Sequence, residues 1–177
     1  MTEPMSSLKI EYKIAEYFCP RRNIIVPNVW WGMGFNHELD LLVLTPSGWA
    51  YEVEIKTSSA DLKADLKKGH GHRSQKIRKL YFAIPESLKA SVDLIPGHAG
   101  ILVVMQARKF GNNGFYPGGV EKLREAELNP VARRLTANER LKLAELGTMR
   151  IWPLKRDCMA WSKYHADPDK WRLDYMG

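Results

Sequence analysis

The sequence lacks a hydrophobic run of the length that a membrane-spanning helix needs. Its densest apolar stretch, Leu39 to Leu44, contains Asp40 and is far shorter than the ~20 residues that cross a bilayer. The first residues, Met1 to Lys13, carry acids and no apolar segment of the kind found in signal peptides. We therefore expect a protein without membrane association.

Cysteine is scarce, with 2 residues in 177, Cys19 and Cys158. This number gives no disulfide framework, so we expect free thiols and a cytoplasmic location. Internal repeats and low-complexity tracts are absent too, which excludes a solenoid or a compositionally disordered chain. With 45% hydrophobic and 27% charged residues, the composition is that of an ordinary globular protein.

Helix and strand patterns alternate along the first 105 residues. The spacing of apolar residues predicts helices over Ser7 to Phe18 and Ser58 to Lys68, and strands over Glu38 to Leu44, Trp49 to Lys56, Ile77 to Ile84 and Gly100 to Met105. Such alternation is typical of an α/β fold, here a central mixed β-sheet flanked by helices. We expect residues 1–106 to form this core.

Residues 107–177 form a C-terminal extension in this prediction, packed on or near the core as part of one domain. Phe110 to Gly119 is rich in Gly and Asn, which predicts a mobile loop. The capping box from Thr136 to Glu139 predicts the start of a helix, and Gly147 its end.

The turn between the two central strands predicts their register. Thr45-Pro46-Ser47-Gly48 has Pro at its second position and Gly at its fourth, which suits a type I turn followed by a left-handed glycine. That loop pairs Thr45 with Trp49 and places Asp40 opposite Glu54. Because side chains alternate along a strand, Lys56 lies on the same face as Glu54.

These three side chains have the chemistry of a metal-dependent hydrolase. Two facing carboxylates repel each other, and proteins tolerate this when a cation binds between them. Oxygen ligands in this number suit Mg²⁺, and a neighbouring lysine can orient water or neutralise a phosphate. Two acids and a lysine beside an apolar face also occur on ordinary half-exposed strands, so the spacing alone leaves both interpretations open.

Asp40, then 13 residues, then Glu54-Ile55-Lys56, with a helix before and a helix after, resembles the PD-(D/E)XK nuclease superfamily. The stretch from Thr57 to Leu66 and the strand from Tyr81 to Pro85 resemble its MmcB-like DNA repair and phage branch. The resemblance implies a restriction-endonuclease-like core and a metal-dependent endonuclease that uses Mg²⁺ or Mn²⁺. It would act on DNA in repair, recombination, or the processing of phage and mobile-element DNA.

The resemblance also implies roles for individual residues. Asp40 and Glu54 would bind the metal together with the main-chain carbonyl of Ile55, and Lys56 would be the catalytic lysine. Leu39 stands where the superfamily motif has proline. The one-letter pattern therefore differs, but the two acids and the lysine that carry the chemistry are present. In many members a glutamate of the first helix joins the metal site; we assign this place to Glu16, with Glu11 as the alternative.

Basic residues concentrate directly after the proposed catalytic lysine. The chain has 27 Lys+Arg against 20 Asp+Glu, and 8 of the basic residues but only 2 of the acids lie between Lys56 and Leu80. This density favours contacts with nucleic-acid phosphates over a merely solvated helix face. The predicted contacts are Lys63, Lys67, Lys68, His72, Arg73 and Lys76.

Several alternatives stay open. A non-catalytic nucleic-acid-binding module would have the same basic surface, and the aromatic residues of the tail would also suit a module that binds a partner protein. RNA is not excluded as a substrate, since metal chemistry on a phosphodiester does not select the sugar. Cleavage of both strands by so small a domain would suggest a homodimer.

Overall fold

In a computed structural model of the chain, residues 5–67, 74–110 and 114–166 are described. These residues contain three α-helices, a 3-10 helix and eight strands. The helices are α1 (Ser7–Phe18), α2 (Ser59–Lys67) and α3 (Ala137–Ala166), and the 3-10 helix spans Glu86–Leu94. The strands are β1 (Ile24–Val29), β2 (Leu39–Leu44), β3 (Ala50–Ile55), β4 (Ile77–Pro85), β5 (Gly100–Met105), β6 (Arg108–Phe110), β7 (Gly114–Tyr116) and β8 (Gly119–Arg124).

The described residues confirm the predicted mixed α/β architecture. Six strands form one sheet in the order β1-β2-β3-β4-β5-β8. β1, β2 and β3 are antiparallel neighbours, whereas β4 runs parallel to both β3 and β5. A parallel pair needs a crossover connection, and the segment between β3 and β4 contains α2.

Helices cover both faces of the sheet. On one face, Ile10 and Ile14 of α1 pack in a single apolar cluster with side chains of β2 to β5, among them Leu41 and Val53. We call this the α1 face. The opposite face carries two separate apolar clusters, one with Leu143 of α3 beside β1 and β2, the other with α2 and the 3-10 helix beside β4 and β5. We call this the divided face.

The hairpin between β2 and β3 has the predicted turn and register. Thr45 N–H donates to Trp49 O at 2.9 Å, and Gly48 N–H donates to Thr45 O at 2.9 Å. Gly48 has φ +86°, the left-handed conformation that the turn requires of its glycine. Leu42 pairs with Glu52, and the same register continued by one pleat places Asp40 opposite Glu54.

The C-terminal helix starts as predicted but does not end where predicted. Glu139 N–H donates to Thr136 Oγ1 at 3.2 Å and Thr136 N–H donates to Glu139 Oε2 at 2.8 Å, which are the two bonds of a capping box. The predicted end at Gly147 is wrong, because α3 continues through this residue to Ala166. A Cβ at position 147 would lie 3.3 Å from Val26 Cγ2, so the glycine permits close packing of α3 on β1 rather than ending the helix.

The segment after residue 106 also contains more regular structure than predicted. β6 and β7 form an antiparallel pair with Arg108 opposite Tyr116; β7 and the last residue of β6 lie within the range predicted as a loop. β8 then pairs with β5 as the sixth strand of the main sheet. Residues beyond 106 therefore complete the sheet, while the predicted division of the chain at residue 106 stays a prediction.

Candidate metal centre

A row of charged side chains lies on the divided face of β3. Glu52, Glu54 and Lys56 are only 1%, 5% and 9% exposed. Leu42 of β2 lies opposite Glu52 and Phe82 of β4 lies beside Glu54, so apolar side chains flank the row on both strands, although Asp40 of β2 lies opposite Glu54. The charged row thus separates the two apolar clusters of this face. Burial of charged groups is costly unless they are paired or bind a metal, so the row is a candidate functional site.

Asp40 lies where the pairing of β2 and β3 ends. Its Oδ2 accepts a hydrogen bond from Ile55 N–H at 2.7 Å, which ties the carboxylate to the last residue of β3. The N–H and C=O of a strand residue point to the same edge of the strand. The carbonyl of Ile55 therefore faces the same edge as Asp40, and the predicted ligands Asp40, Glu54 and Ile55 come together at one end of the two strands.

The Glu54 carboxylate has one paired and one unpaired oxygen. Oε2 accepts a hydrogen bond from Lys56 Nζ at 2.9 Å, whereas the buried Oε1 has no hydrogen-bond partner among the described residues. Burial raises the pKa of the Glu54 carboxyl, the negative charge of Asp40 raises it further, and Lys56 acts in the opposite direction. An unpaired buried oxygen beside a second carboxylate matches the oxygen ligands that Mg²⁺ and Mn²⁺ prefer, so the residues present fit such an ion.

Lys56 is held at the site from two sides. Besides its bond to Glu54, its ammonium lies 5.9 Å from the centre of the Phe82 ring, within range of a cation–π contact. Its main-chain N–H donates to Ala83 O of β4 at 3.0 Å. The predicted catalytic lysine is therefore fixed in direct contact with the predicted ligand Glu54.

The two candidate glutamates of α1 lie in different surroundings. Glu16 lies on the exposed side of the helix, where Tyr12 O–H and Lys13 Nζ donate to its carboxylate at 2.9 and 2.8 Å. Glu11 is half-buried instead, and its pKa is raised by burial and by the charge of Asp40. Successive helix residues are about 100° apart, which places Glu11 beside the buried Ile10 and Glu16 on the far side. Of the two, Glu11 is the one whose pKa is affected by the charge of Asp40, while the role of either glutamate stays a prediction.

Sequence reasoning missed two members of the cluster. His37 Nε2 lies 2.9 Å from Glu52 Oε1, and one ligand atom each from His37, Glu52 and Glu54 lie within 4.8 Å of one another. The alternation that grouped Glu54 with Lys56 also placed Glu52 on their face, so this residue could have been found. His37 belongs to the loop before β2, where no periodicity predicts the direction of a side chain.

The predicted phosphate contacts are described only in part. Lys63 is exposed on α2. Lys76 is half-buried and has structural partners: its Nζ donates to the carbonyl of Met33 and lies 3.2 Å from Glu139 Oε1, at the start of α3. The side chain of Lys67 and the whole of Lys68, His72 and Arg73 lie outside the described residues, so these assignments stay predictions.

In residues 5–67, 74–110 and 114–166, none of the helices has the length and apolarity to span a bilayer.

Fold and site together define a mixed α/β protein with a buried carboxylate cluster at the end of its central hairpin. No protein-family model matches the sequence, and none of the curated proteins does. A solved structure that is similar to the chain is the SPO1766 protein of unknown function from Silicibacter pomeroyi. The likeness has a TM-score of 0.57 and 18% identity, and covers 95% of this chain and 94% of that one. At this identity it shows the fold alone.

Proposed function

We propose that the chain is a metal-dependent nuclease that hydrolyses DNA phosphodiester bonds. The observation that carries the proposal is the buried carboxylate of Glu54, which has an unpaired oxygen, lies opposite Asp40 and contacts Lys56. Lys56 compensates one oxygen of this carboxylate, and a metal ion at the other oxygen would offset the remaining cost of burying it beside Asp40. Two acids and a lysine at one strand end are also the groups on which the resemblance to PD-(D/E)XK nucleases depends.

The charge balance of the site supports a bound cation. Asp40, Glu52 and Glu54 contribute three carboxylates, whereas Lys56 contacts Glu54 at 2.9 Å and His37 lies 2.9 Å from Glu52. Asp40, Glu54 and the carbonyl of Ile55 would hold Mg²⁺ or Mn²⁺. When bound, such an ion polarises a phosphate oxygen and makes water more acidic.

The protein's own residues would supply position and charge. Lys56 keeps the Glu54 carboxylate in place and brings a positive charge to the point where a scissile phosphate would bind. Asp40 is held by the main chain of β3, which fixes the spacing of the two acids without a flexible partner. Such preorganisation avoids the cost of arranging the groups during the reaction.

DNA is the proposed substrate because of the basic segment after Lys56 and the resemblance to a DNA repair branch. A basic segment binds phosphates of any nucleic acid and depends strongly on salt. RNA is therefore included as a substrate in the test.

Cleavage of labelled duplex, single-stranded and branched DNA, and of RNA, tests the proposal in Mg²⁺, in Mn²⁺ and in EDTA. We expect metal-dependent cutting by the wild type and none by Asp40→Ala or Lys56→Ala. Lys89→Ala is the matched control, because Lys89 is also ion-paired to a glutamate, Glu121 at 2.7 Å, but in a surface pair. Unfolding curves for each variant show whether the fold is retained.

Full cleavage by either site variant would overturn the assignment. Salt-sensitive DNA binding without cleavage by the wild type would favour a binding module, and light scattering with and without DNA shows whether a homodimer forms.

A further inference from the structure

We propose that His37, Glu52 and Glu54 form a second cation position, which takes Mn²⁺ or Zn²⁺ in preference to Mg²⁺. The position lies two residues closer to the start of β3 than the Asp40–Glu54 pair. It rests on the proposed function only in sharing Glu54 with the catalytic ion. Its binding chemistry can be measured in a protein that cuts nothing.

The three side chains already lie close to a coordination geometry. Their ligand atoms are within 4.8 Å of one another, and His37 Nε2 lies 2.9 Å from Glu52 Oε1. Ligand atoms bound at about 2.0–2.2 Å from one ion lie roughly 3–3.5 Å apart. A small contraction around Glu54 therefore brings the three groups to one ion.

The second ring nitrogen of His37 has the kind of partner that metal-binding histidines have. Nδ1 lies 2.8 Å from Asn36 Oδ1. An Nδ1–H donated to this oxygen leaves Nε2 as the nitrogen that faces the carboxylates. Histidine ligands are usually oriented by such a hydrogen bond, which fixes the tautomer and the ring plane.

The unpaired oxygen of Glu54 is a second observation that points to a ligand. Glu54 is only 5% exposed, and its Oε1 has no hydrogen-bond partner among the described residues. The two oxygens of one carboxylate can serve two ions, as in two-metal sites that act on phosphodiesters. Glu54 is therefore placed to be shared by both positions.

The imidazole sets the metal preference. Mg²⁺ takes oxygen ligands and loses its water reluctantly, whereas imidazole suits Zn²⁺ and other transition metals. A His–Glu–Glu set thus discriminates against Mg²⁺, while Asp40, Glu54 and a carbonyl suit it. The two positions are predicted to differ in metal selectivity although they are neighbours.

Electron spin echo spectroscopy of the Mn²⁺-loaded full-length protein tests this proposal without any need for cleavage. A histidine ligand produces a nitrogen modulation in the Mn²⁺ signal. We expect the modulation in the wild type and in Asp40→Asn, and its loss in His37→Gln. Glutamine keeps a donor for Glu52, so the buried carboxylate stays paired. His98→Gln is the matched control, because His98 is exposed and distant in the chain.

Calorimetric titration gives the second readout. We expect His37→Gln to weaken Mn²⁺ and Zn²⁺ binding by about 10–100-fold and to leave Mg²⁺ binding unchanged. Wild-type protein grown with ¹⁵N-histidine provides a check that needs no variant, since the modulation changes to the ¹⁵N pattern only when a histidine is a ligand.

Unchanged modulation or unchanged Mn²⁺ affinity in His37→Gln would overturn the second position, even if Mg²⁺-dependent cleavage persists. The nuclease proposal fails in a different way, by absence of cleavage while the nitrogen modulation is present.

Discussion

The two faces of β3 differ sharply in the side chains that they bury. On the α1 face, Val53 and Ile55 belong to one continuous apolar cluster. On the divided face, Glu52 and Glu54 interrupt the apolar packing and leave a cluster on each side. The apolar side chains of β3 therefore stabilise the fold, whereas burying its charged side chains costs free energy.

The difference indicates that the α1 face of β3 stabilises the fold, whereas the divided face carries the side chains of the proposed activity. Replacing buried ion pairs by apolar residues of similar size is often neutral or stabilising, so a buried charged row is poor evidence of a stabilising role. Residues kept for activity commonly reduce stability. Apolar packing on the α1 face has to offset the free energy that burying the charged side chains costs on the divided face.

Neutralising Glu54 would have the largest effect on activity. We expect Glu54→Gln to reduce cleavage by roughly a hundredfold or more, because the carboxylate that binds the ion is lost. The metal-free variant should be as stable as the wild type or more stable, since a neutral amide costs less to bury. Initial cleavage rates and urea unfolding of the same preparations measure both quantities. A clear loss of stability with retained cleavage would contradict the prediction, because it would show that Glu54 stabilises the fold and is not needed for activity.

Removing apolar volume from the other face should have the opposite signature. Leu41 is buried opposite Val53 on the α1 face and follows Asp40 directly in the chain. Leu41→Ala is expected to lower the free energy of unfolding by about 2–5 kcal/mol. Cleavage per folded molecule should change little. Leu123→Ala, at an exposed leucine of β8, is the control and should stay within about 0.5 kcal/mol.

The sequence allowed the central part of this comparison to be predicted because its causes are local. The glycine at position 48 determines the turn, the turn determines the register, and the register places Asp40 opposite Glu54. The end of α3 and the place of His37 depend on tertiary contacts instead. Gly147 has the sequence pattern of a helix end, but its place in the helix is explained by its packing against Val26. His37 is positioned by a loop whose course the sequence pattern does not predict.

The helix glutamates offer a smaller test of how far the site extends. Glu11 is half-buried and its pKa responds to Asp40, whereas Glu16 is bonded to Tyr12 and Lys13 at the surface. We expect Glu11→Gln to lower cleavage by about tenfold, comparable to the loss of a residue that orients a metal ligand, and Glu16→Gln to leave it unchanged. Rates measured at several Mg²⁺ concentrations separate weaker metal binding from a slower reaction. Equal effects of the two variants would remove the distinction between the two sides of α1.

The smallest expected effect is a difference in the sign of pH dependence between a buried and a surface glutamate. Burial raises the pKa of Glu54 above its ordinary 4.5, so the folded protein binds more protons there than the unfolded chain. Stability of the metal-free protein should therefore fall as pH rises from about 4.5 through the raised pKa.

Glu125 should act in the opposite direction. Hydrogen bonds from Lys122, Lys79 and Tyr81 lower its pKa to about 2, so its contribution is present above pH 4.5 and is lost as pH falls toward 2. Its ion pairs are half-exposed, which limits this contribution to less than about 1 kcal/mol. In urea unfolding of metal-free protein between pH 2 and 8, Glu54→Gln should flatten the decline above pH 4.5, and Glu125→Gln the rise below it. If both variants change the same limb of the profile, burial at the charged row does not govern the titration of Glu54.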